Sequence, residues 1–319
     1  MRVVFMGSDP IALPMLEALV ADTEGGELCL VGVFTQPDRP RGRGHRVTAN
    51  AIKSWAVDKG LPVFQPERCD AEACLRLEEM RADIVLVMAF GQLLPRGMLD
   101  LVPGRFFNFH ASLLPRLRGA SPIQTAIALG LERTGVSLMR IIPKMDAGPV
   151  ADAEEVSLGE GTTVADLSGM LGAACVPLVR RVLPKFRTGS LDFEEQDPAK
   201  VSYCRLIKKT DANLDFRESA SELERRIRAL NPWPGPRVPY GGEEIRIQAA
   251  RVLESDSGAV PGTILDSGSG QWVIACGRGA LAIEQAQRAG GKVLPIADFL
   301  RGYAIQSGVV LESRLMEPL

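Results

Sequence analysis

Asn108 and His110 stand two residues apart at the end of a short apolar run, and both carry groups that can stabilise charge or move a proton. On an extended strand, residues i and i+2 point to the same side, so the two side chains would face the same space. An asparagine N–H can stabilise a developing oxyanion, and an imidazole exchanges a proton near neutral pH. Acyl transfer to an amine needs both functions. Taken alone, the pair fits a catalytic role and a structural role equally well.

Asp146 is a third side chain with chemistry to offer, and it lies in the loop 144–149 between two predicted strands. Its carboxylate could orient His110 or a water molecule and assist in removing a proton. An aspartate among small turn residues is also ordinary turn chemistry. The spacing between Asp146 and His110 does not decide between the two interpretations, so both stay open.

The segment 36–46 is rich in glycine and proline and carries four arginines and one acidic residue. It is the strongest local concentration of charge in the chain. Phosphate binding explains such a cluster better than a solvated loop does. The arginines are Arg39, Arg41, Arg43 and Arg46. Basic residues further along the chain could extend the same surface, namely Lys208, Lys209, Arg225, Arg226 and Arg228. Charged residues on a helix face are, however, usually only solvated.

Composition disfavours several classes of protein. The net charge of −2 over 319 residues provides no global basic field, so nucleic acid would have to bind through local patches. Six cysteines without a Cys-x-x-Cys pair, together with two histidines, argue against a zinc site or a disulfide framework, and we expect no metal. Neither a dinucleotide-binding glycine motif nor a P-loop is present, which disfavours a dehydrogenase or a kinase.

No part of the sequence indicates a membrane or a secretory leader. The apolar start of the chain is too short for a signal peptide, and no window approaches the ~20 apolar residues that span a bilayer. We therefore expect a cytoplasmic protein with no membrane partner.

Strand-like and helix-like segments alternate in the first half of the chain. Apolar runs predict strands at 3–6, 28–34, 61–64, 84–88 and 106–109. Such alternation favours right-handed crossovers and a mostly parallel sheet. Ligands of these sheets bind outside the carboxyl ends of the strands. Asn108 and His110 fall at such an end, which gives a physical reason for a site there.

The pattern changes in the second half. After strands predicted at 136–141 and 150–156, a helix begins at a capping box of Thr163 and Asp166 and is expected to end near Pro184. Short strands with glycine-rich turns come later and favour a small antiparallel, OB-like barrel. We therefore expect an α/β domain at 1–184, a polar linker at 185–205 and a barrel domain at 206–319.

The run around His110 resembles the core of the 10-formyltetrahydrofolate-dependent formyltransferases. It reads Asn108-Phe109-His110-Ala111-Ser112-Leu113-Leu114-Pro115 and continues as Arg118-Gly119-Ala120-Ser121-Pro122-Ile123. Asp146 with Gly148 is similar to the downstream loop of that family. Members that formylate glycinamide ribonucleotide or UDP-amino-arabinose share this much.

Two further segments resemble the branch of the family that formylates methionyl-tRNA. Residues 34–40, continuing to 42–44, are similar to its insertion loop. Residues 223–225, 227–229 and 231–234 are similar to the start of its C-terminal domain. The likeness extends in order over essentially the whole chain.

The resemblance implies a folate-binding, Rossmann-like domain joined to an OB-like barrel that contacts tRNA. It implies 10-formyltetrahydrofolate as the co-substrate and the methionyl amine of initiator methionyl-tRNA as the acceptor. Asn108 and His110 would stabilise the tetrahedral oxyanion, and Asp146 would hold the histidine and assist deprotonation. Two turns would line the folate site: Met88, Ala89, Phe90 and Gly91, and Ser112, Leu113, Leu114 and Pro115. Transfer RNA would meet Arg39, Arg41, Arg43, Arg46, Lys208 and Lys209.

Two other hypotheses remain in view. A formyltransferase acting on a sugar-nucleotide amine could carry a related second domain. A catalytically silent RNA-binding protein on the same scaffold is disfavoured by the complete set of Asn108, His110 and Asp146. We expect a monomer.

Overall fold

The computed structural model describes residues 1–23, 28–41, 46–254, 257–268 and 270–319. The chain folds into two units. The first holds Met1–Gly119, Arg133–Ser157 and Ser168–Tyr203, and the second holds Ala120–Glu132, Leu158–Leu167 and Cys204–Leu319. The predicted domain limits at 184 and 206 stay a prediction.

The elements up to residue 205 alternate between strand and helix for most of their length. They are β1 (Arg2–Gly7), α1 (Leu13–Thr23), β2 (Cys29–Phe34), β3 (Arg39–Arg41), β4 (Arg46–Thr48), α2 (Ala51–Asp58), β5 (Val63–Phe64), α3 (Ala71–Glu79), β6 (Ile84–Met88), α4 (Arg96–Leu99), β7 (Phe106–His110), β8 (Arg118–Gly119), α5 (Pro122–Ala128), β9 (Arg133–Arg140), β10 (Val150–Ser157), α6 (Val164–Thr188) and β11 (Tyr203–Cys204).

A seven-stranded sheet organises the first unit, in the order β10-β9-β7-β6-β1-β2-β5. The five strands from β7 to β5 in that order run parallel, and β9 and β10 add an antiparallel edge. Every residue of β6 is buried, as is usual for a parallel strand covered on both faces. The predicted strand at 84–88 is confirmed residue for residue, and so is the mostly parallel sheet.

Polar side chains begin several helices at the carboxyl edge of this sheet. Asn50 accepts the N–H of Lys53 at the start of α2, and Asp70 accepts two N–H groups at the start of α3. Such caps satisfy backbone donors that have no partner within the helix. The predicted capping box of Thr163 and Asp166 is also confirmed.

The longest helix, α6, continues one turn past Pro184, so its predicted end near that residue is wrong. Proline disfavours a helix interior because it lacks an N–H, but tertiary packing outweighs this effect here. Phe186 meets the ring of Phe107 edge-on, with 5.6 Å between the centroids. In the described part of the chain, α6 is the one helix long and apolar enough to cross a membrane, and half of its most apolar window is buried.

The segment predicted as a linker lies in the first unit up to Tyr203. Glu194 pairs with Val150 through backbone hydrogen bonds of 2.8 and 2.9 Å. Phe193 packs on Phe107, with ring centroids 5.5 Å apart. The polar composition of this segment did not predict that it packs on the first unit, because the packing depends on one aromatic residue and one backbone bridge.

The later elements of the second unit are α7 (Ala220–Leu230), β12 (Arg237–Tyr240), β13 (Glu243–Leu253), β14 (Ile264–Asp266), β15 (Val273–Ala275), β16 (Ala280–Gln287), β17 (Leu294–Pro295) and α8 (Ile296–Gly302). The unit is built on an antiparallel sheet ordered β12-β13-β16-β15-β14, with β17 paired to β16. A capping box begins α7, since Ser219 and Glu222 bind each other's backbone N–H. Trp272 and Phe216 are fully buried in the core. The sheet curls into a small barrel-like domain, as predicted.

The six free cysteines differ in burial, and we therefore expect their thiols to differ in reactivity. Burial raises the pKa of Cys175 and of Cys276 to about 12, and that of Cys69 to about 11. The thiolate is the reactive form, and three pKa units lower its fraction about 10³-fold. We expect iodoacetamide to alkylate the exposed Cys29 long before Cys175 or Cys276, as followed by mass spectrometry of the native protein. All six should react in denaturant, and equal native rates would contradict this order.

Candidate active site

Strand β7 places Asn108 and His110 on the same face at its carboxyl end, as predicted for residues two apart. Parallel strand β6 is its neighbour on one side, with Val87 opposite Asn108. Antiparallel β9 is its neighbour on the other side, with Ser137 opposite His110. Phe109, between the two, is buried. The core therefore fixes the strand while the alternate side chains remain at the sheet edge.

A backbone carbonyl orients the imidazole of His110, whose residue is 6% exposed. Its Nε2 lies 2.9 Å from the carbonyl oxygen of Leu117. Because a carbonyl only accepts, Nε2 must carry the hydrogen. In the neutral ring Nδ1 is then the atom with the lone pair. The Leu117 carbonyl thus selects the tautomer and leaves Nδ1 as the proton-exchanging atom.

Asp146 faces this second nitrogen. The distance from its Oδ2 to Nδ1 of His110 is 3.8 Å, and its side chain is 15% exposed. That separation is too long for a direct hydrogen bond, so attraction between the two requires a protonated ring. The same Oδ2 accepts the backbone N–H of Gly119 at 2.9 Å. Asp146 therefore supplies a fixed, sheltered negative charge beside the imidazole.

The loop that carries Asp146 has a demanding backbone. Asp146 has a φ of 49°, which is the left-handed region that non-glycine residues rarely adopt. Two residues later, a Cβ on Gly148 would lie 1.8 Å from the carbonyl oxygen of Arg140. The Asp146-x-Gly148 pattern therefore reflects a close backbone approach as well as ordinary turn chemistry.

Gln196 is a residue of this site that sequence reasoning missed. Its Nε2 donates to the carbonyl oxygens of Asp146 and Gly148, at 2.9 and 2.7 Å. Its Oε1 accepts from Nε and Nη2 of Arg118, at 3.0 and 2.7 Å. Gln196 belongs to the polar segment predicted as a linker, and no motif or periodicity in that segment indicates it.

Asn108 differs from its neighbours in the site. It is half-buried, and its side-chain amide has no hydrogen-bond partner among the residues that the structure describes. An amide at a strand end with its donors uncommitted can donate to a ligand oxygen.

The turn after His110, predicted to line a folate site, is held by two serine hydroxyls. The hydroxyl of Ser137 donates to the carbonyl of Ser112 and accepts the N–H of Leu114, at 2.8 and 3.0 Å. Ser112 donates to the carbonyl of Arg116 at 2.6 Å, and the Leu114–Pro115 peptide is cis. Leu113, Leu114 and Pro115 remain partly exposed, whereas Ser112 is buried.

The second predicted folate turn follows the adjacent strand β6. Met88 and Phe90 are buried, whereas Ala89 and Gly91 are exposed, with φ of 47° and 73°. Gln36 donates to the carbonyl of Phe90 at 3.0 Å and tethers this turn. What the turn offers to a ligand is therefore its backbone and two small residues, while the large side chains serve the core.

The basic residues predicted to meet tRNA are spread over both units. Strands β3 and β4 form a hairpin with Arg41 opposite Arg46. The side chain of Arg39 lies 2.5 Å from Glu67, and both are exposed. Arg43 lies outside the described residues, and only the backbone is described at Arg41 and Arg46. In the second unit Lys208 and Lys209 are exposed, with Nζ of Lys208 3.9 Å from Glu317.

The arginines of α7 serve the second unit itself. Arg226 is buried and donates to the carbonyls of Glu317 and Asp211. Arg228 pairs with Glu224 at 2.5 Å. Arg225 donates to the carbonyl of Ala128 at 3.3 Å. Their suggested part in an RNA-binding surface is therefore not supported, because these guanidinium groups already have partners in the fold.

Within the described ranges, no cluster of three or more His, Cys, Asp or Glu side chains is arranged to hold a metal ion.

Two sequence families match the chain along its length. Residues 1–174 match the family described as "Formyl transferase", and residues 206–304 match "Formyl transferase, C-terminal domain". A methionyl-tRNA formyltransferase of Methylococcus capsulatus is 40% identical over 306 residues, which cover 96% of this chain and 98% of the relative. One from Sorangium cellulosum is 39% identical over 98% of this chain and 99% of its own. The chain belongs to the methionyl-tRNA formyltransferase family.

As a member of this family, the protein is an enzyme that transfers formyl groups. A solved structure has a similar fold: WlaRD, described as a sugar 3N-formyl transferase in the presence of dTDP and 5-N-formyl-THF. The TM-score is 0.68 at 17% identity, over 92% of this chain and 99% of that one. This likeness concerns the fold alone.

Proposed function

We propose that the protein transfers the formyl group of 10-formyltetrahydrofolate to the free amino group of methionine on initiator methionyl-tRNA. The observation that carries the chemistry is the convergence of Asn108, His110 and Asp146 at the carboxyl end of β7 in the mostly parallel sheet. The acceptor is supported by the near full-length likeness to proteins named methionyl-tRNA formyltransferase.

The reaction joins the methionyl nitrogen to the formyl carbon and breaks the bond from that carbon to N10 of the folate. Asn108 is proposed to donate an N–H to the formyl oxygen as it becomes negative. His110 lies beside it with Nδ1 open to exchange a proton. The proton lost by the attacking amine passes to the leaving N10, so the overall step is balanced without a net gain or loss of protons.

Asp146 supports this step electrostatically. Its carboxylate lies 3.8 Å from Nδ1 of His110, so a proton gained by the ring creates an ion pair. At 15% side-chain exposure, screening by water is weak and the attraction is stronger than at a surface. We propose that Asp146 stabilises the imidazolium, directly or through a bridging water, and assists removal of the amine proton.

The two turns beside this set are proposed to hold the folate. Gly91 and Ala89 present backbone after β6, and Leu113, Leu114 and Pro115 present apolar surface after β7. Backbone N–H and C=O groups suit the hydrogen-bonding edge of a pterin, and aliphatic side chains suit its ring faces. Both turns follow adjacent strands, which supports a single site that runs along the sheet edge.

Recognition of the tRNA is proposed to use the basic residues at the surface. Among the described residues Arg39 pairs with the exposed Glu67, and such surface ion pairs contribute ~0–1 kcal/mol, so a phosphate can replace the glutamate. Arg41, Arg43 and Arg46 lie close together in the sequence, and Lys208 and Lys209 are exposed. A formylating role in translation initiation would place the enzyme in the cytoplasm, and we propose that it acts as a monomer.

One assay with three acceptors tests the proposal. The protein is incubated with 10-formyltetrahydrofolate labelled in the formyl group and with initiator methionyl-tRNA, elongator methionyl-tRNA or a nucleotide-linked amino sugar. The two tRNAs carry the same amino acid, so a difference between them isolates recognition of the tRNA body. We expect label on the initiator tRNA only.

A His110→Gln protein prepared in parallel measures any formyltransferase carried over from the expression host. Label on the amino sugar without label on either tRNA would overturn the proposal in favour of a sugar-nucleotide formyltransferase.

A further inference from the structure

We propose that Gln196 is a positioning residue that sets the place of the Asp146 carboxylate, an inference that rests on the proposed function of Asp146. Both residues lie in the first unit, 50 positions apart in the sequence. Gln196 lies two residues after Glu194, whose backbone pairs with Val150 at the far end of the Asp146 loop. The segment predicted as a linker thus forms a strap along this loop.

The amide of Gln196 has every hydrogen-bonding group in use. Its two N–H groups meet the carbonyls of Asp146 and Gly148, and its oxygen meets two N–H groups of Arg118. Carbonyls only accept and a guanidinium only donates, so just one orientation of the amide fits. A glutamate at this position would turn a carboxylate oxygen towards two carbonyl oxygens, which repel it.

Gln196 acts on two hydrogen bonds of Asp146, one at its backbone carbonyl and one at its carboxylate. It binds the backbone carbonyl of Asp146 directly, at a residue whose φ of 49° lies in the left-handed region that non-glycine residues rarely adopt. Through Arg118 it also steadies the next residue, Gly119, whose N–H binds Oδ2 of Asp146 at 2.9 Å. Gln196 therefore holds the Asp146 loop directly, and through Arg118 it holds the Gly119 N–H that binds the Asp146 carboxylate.

The consequence should be confined to catalysis. Among the described residues, Gln196 makes no hydrogen bond to His110 or to the two turns proposed to hold folate, so we expect substrate binding not to depend on it. Its loss would free the Asp146 loop to move, and displacement of a catalytic group by about 1 Å can cost 10²-fold in rate.

The test combines Gln196→Met with Gln196→Glu and a neighbouring control. We expect each Gln196 variant to lower kcat about 10²-fold while KM for methionyl-tRNA and for 10-formyltetrahydrofolate stays within about twofold. Glu195→Gln exchanges the same atoms one residue away at an exposed position and should behave as wild type. Thermal unfolding and folate binding by the purified variants establish that each is folded. Unchanged kcat in both folded Gln196 variants would overturn the proposal.

A double-mutant cycle separates positioning from a general structural effect. If Gln196 acts through Asp146, then Gln196→Met should change the residual rate of an Asp146→Ala protein by less than about twofold. A further 10²-fold loss in that background would overturn the inference. Failure of the proposed function would be visible earlier, as absence of formyl transfer to methionyl-tRNA by the wild-type protein.

Discussion

His110→Gln is expected to lower kcat for formyl transfer about 10³-fold while leaving the protein folded. The glutamine amide can still donate to the carbonyl of Leu117, which the imidazole reaches at 2.9 Å, so the structural contact is retained. What is lost is the nitrogen that exchanges a proton beside Asp146, and such acid–base groups contribute about 10²–10⁴-fold. Steady-state kinetics with both substrates, together with thermal unfolding, measure the effect.

A His110→Ala variant completes this experiment. It removes the hydrogen bond as well as the acid–base group, so it should lose activity to a similar extent and unfold at a lower temperature. If His110 served only to hold Leu117, the glutamine variant would keep most of its activity and the alanine variant would not. That pattern would remove His110 from the chemistry.

The strand that carries the site was predictable because its signal is local. Apolar runs bounded by polar residues identify buried parallel strands, and 84–88 was predicted without error. The end of β7 differs from the prediction by one residue, at His110 itself. The carboxyl ends of β6 and β7 then had to lie side by side, and polar residues placed there were expected to meet a ligand.

The contacts that orient the site were not predictable, because they join distant residues or use backbone atoms. The carbonyl of Leu117 and the N–H of Gly119 are backbone groups, so the residue type does not indicate their role. Asp146 and Gln196 meet across 50 residues through a segment with no periodicity. Without an alignment, nothing in one sequence distinguishes this glutamine from the others.

Arg226 shows the opposite case, in which a signal was present and was interpreted too broadly. It lies three residues after Leu223 and four before Leu230, both fully buried, so it shares their face of α7. Helical spacing therefore predicts burial for it, and a buried arginine needs internal partners. The carbonyls of Glu317 and Asp211 fill that need.

Asn108→Ala should separate catalysis from stability more cleanly than any other change in the site. The side-chain amide has no partner among the described residues, so its removal breaks no hydrogen bond there and should leave the melting temperature nearly unchanged. Removal of one donor to a developing oxyanion costs about 10²–10³-fold in kcat, and we expect a loss in that range with little change in KM.

Asn108→Asp is the matched variant, because aspartate has almost the same shape but, when ionised, can only accept hydrogen bonds. A carboxylate aimed at a developing negative charge is repulsive, so this variant should be at least as slow as Asn108→Ala. Single-turnover kinetics at saturating concentrations of both substrates isolate the chemical step in each protein. Near wild-type rates in the aspartate variant would show that Asn108 supplies shape rather than a donor, and the oxyanion would then need another group at this edge of the sheet.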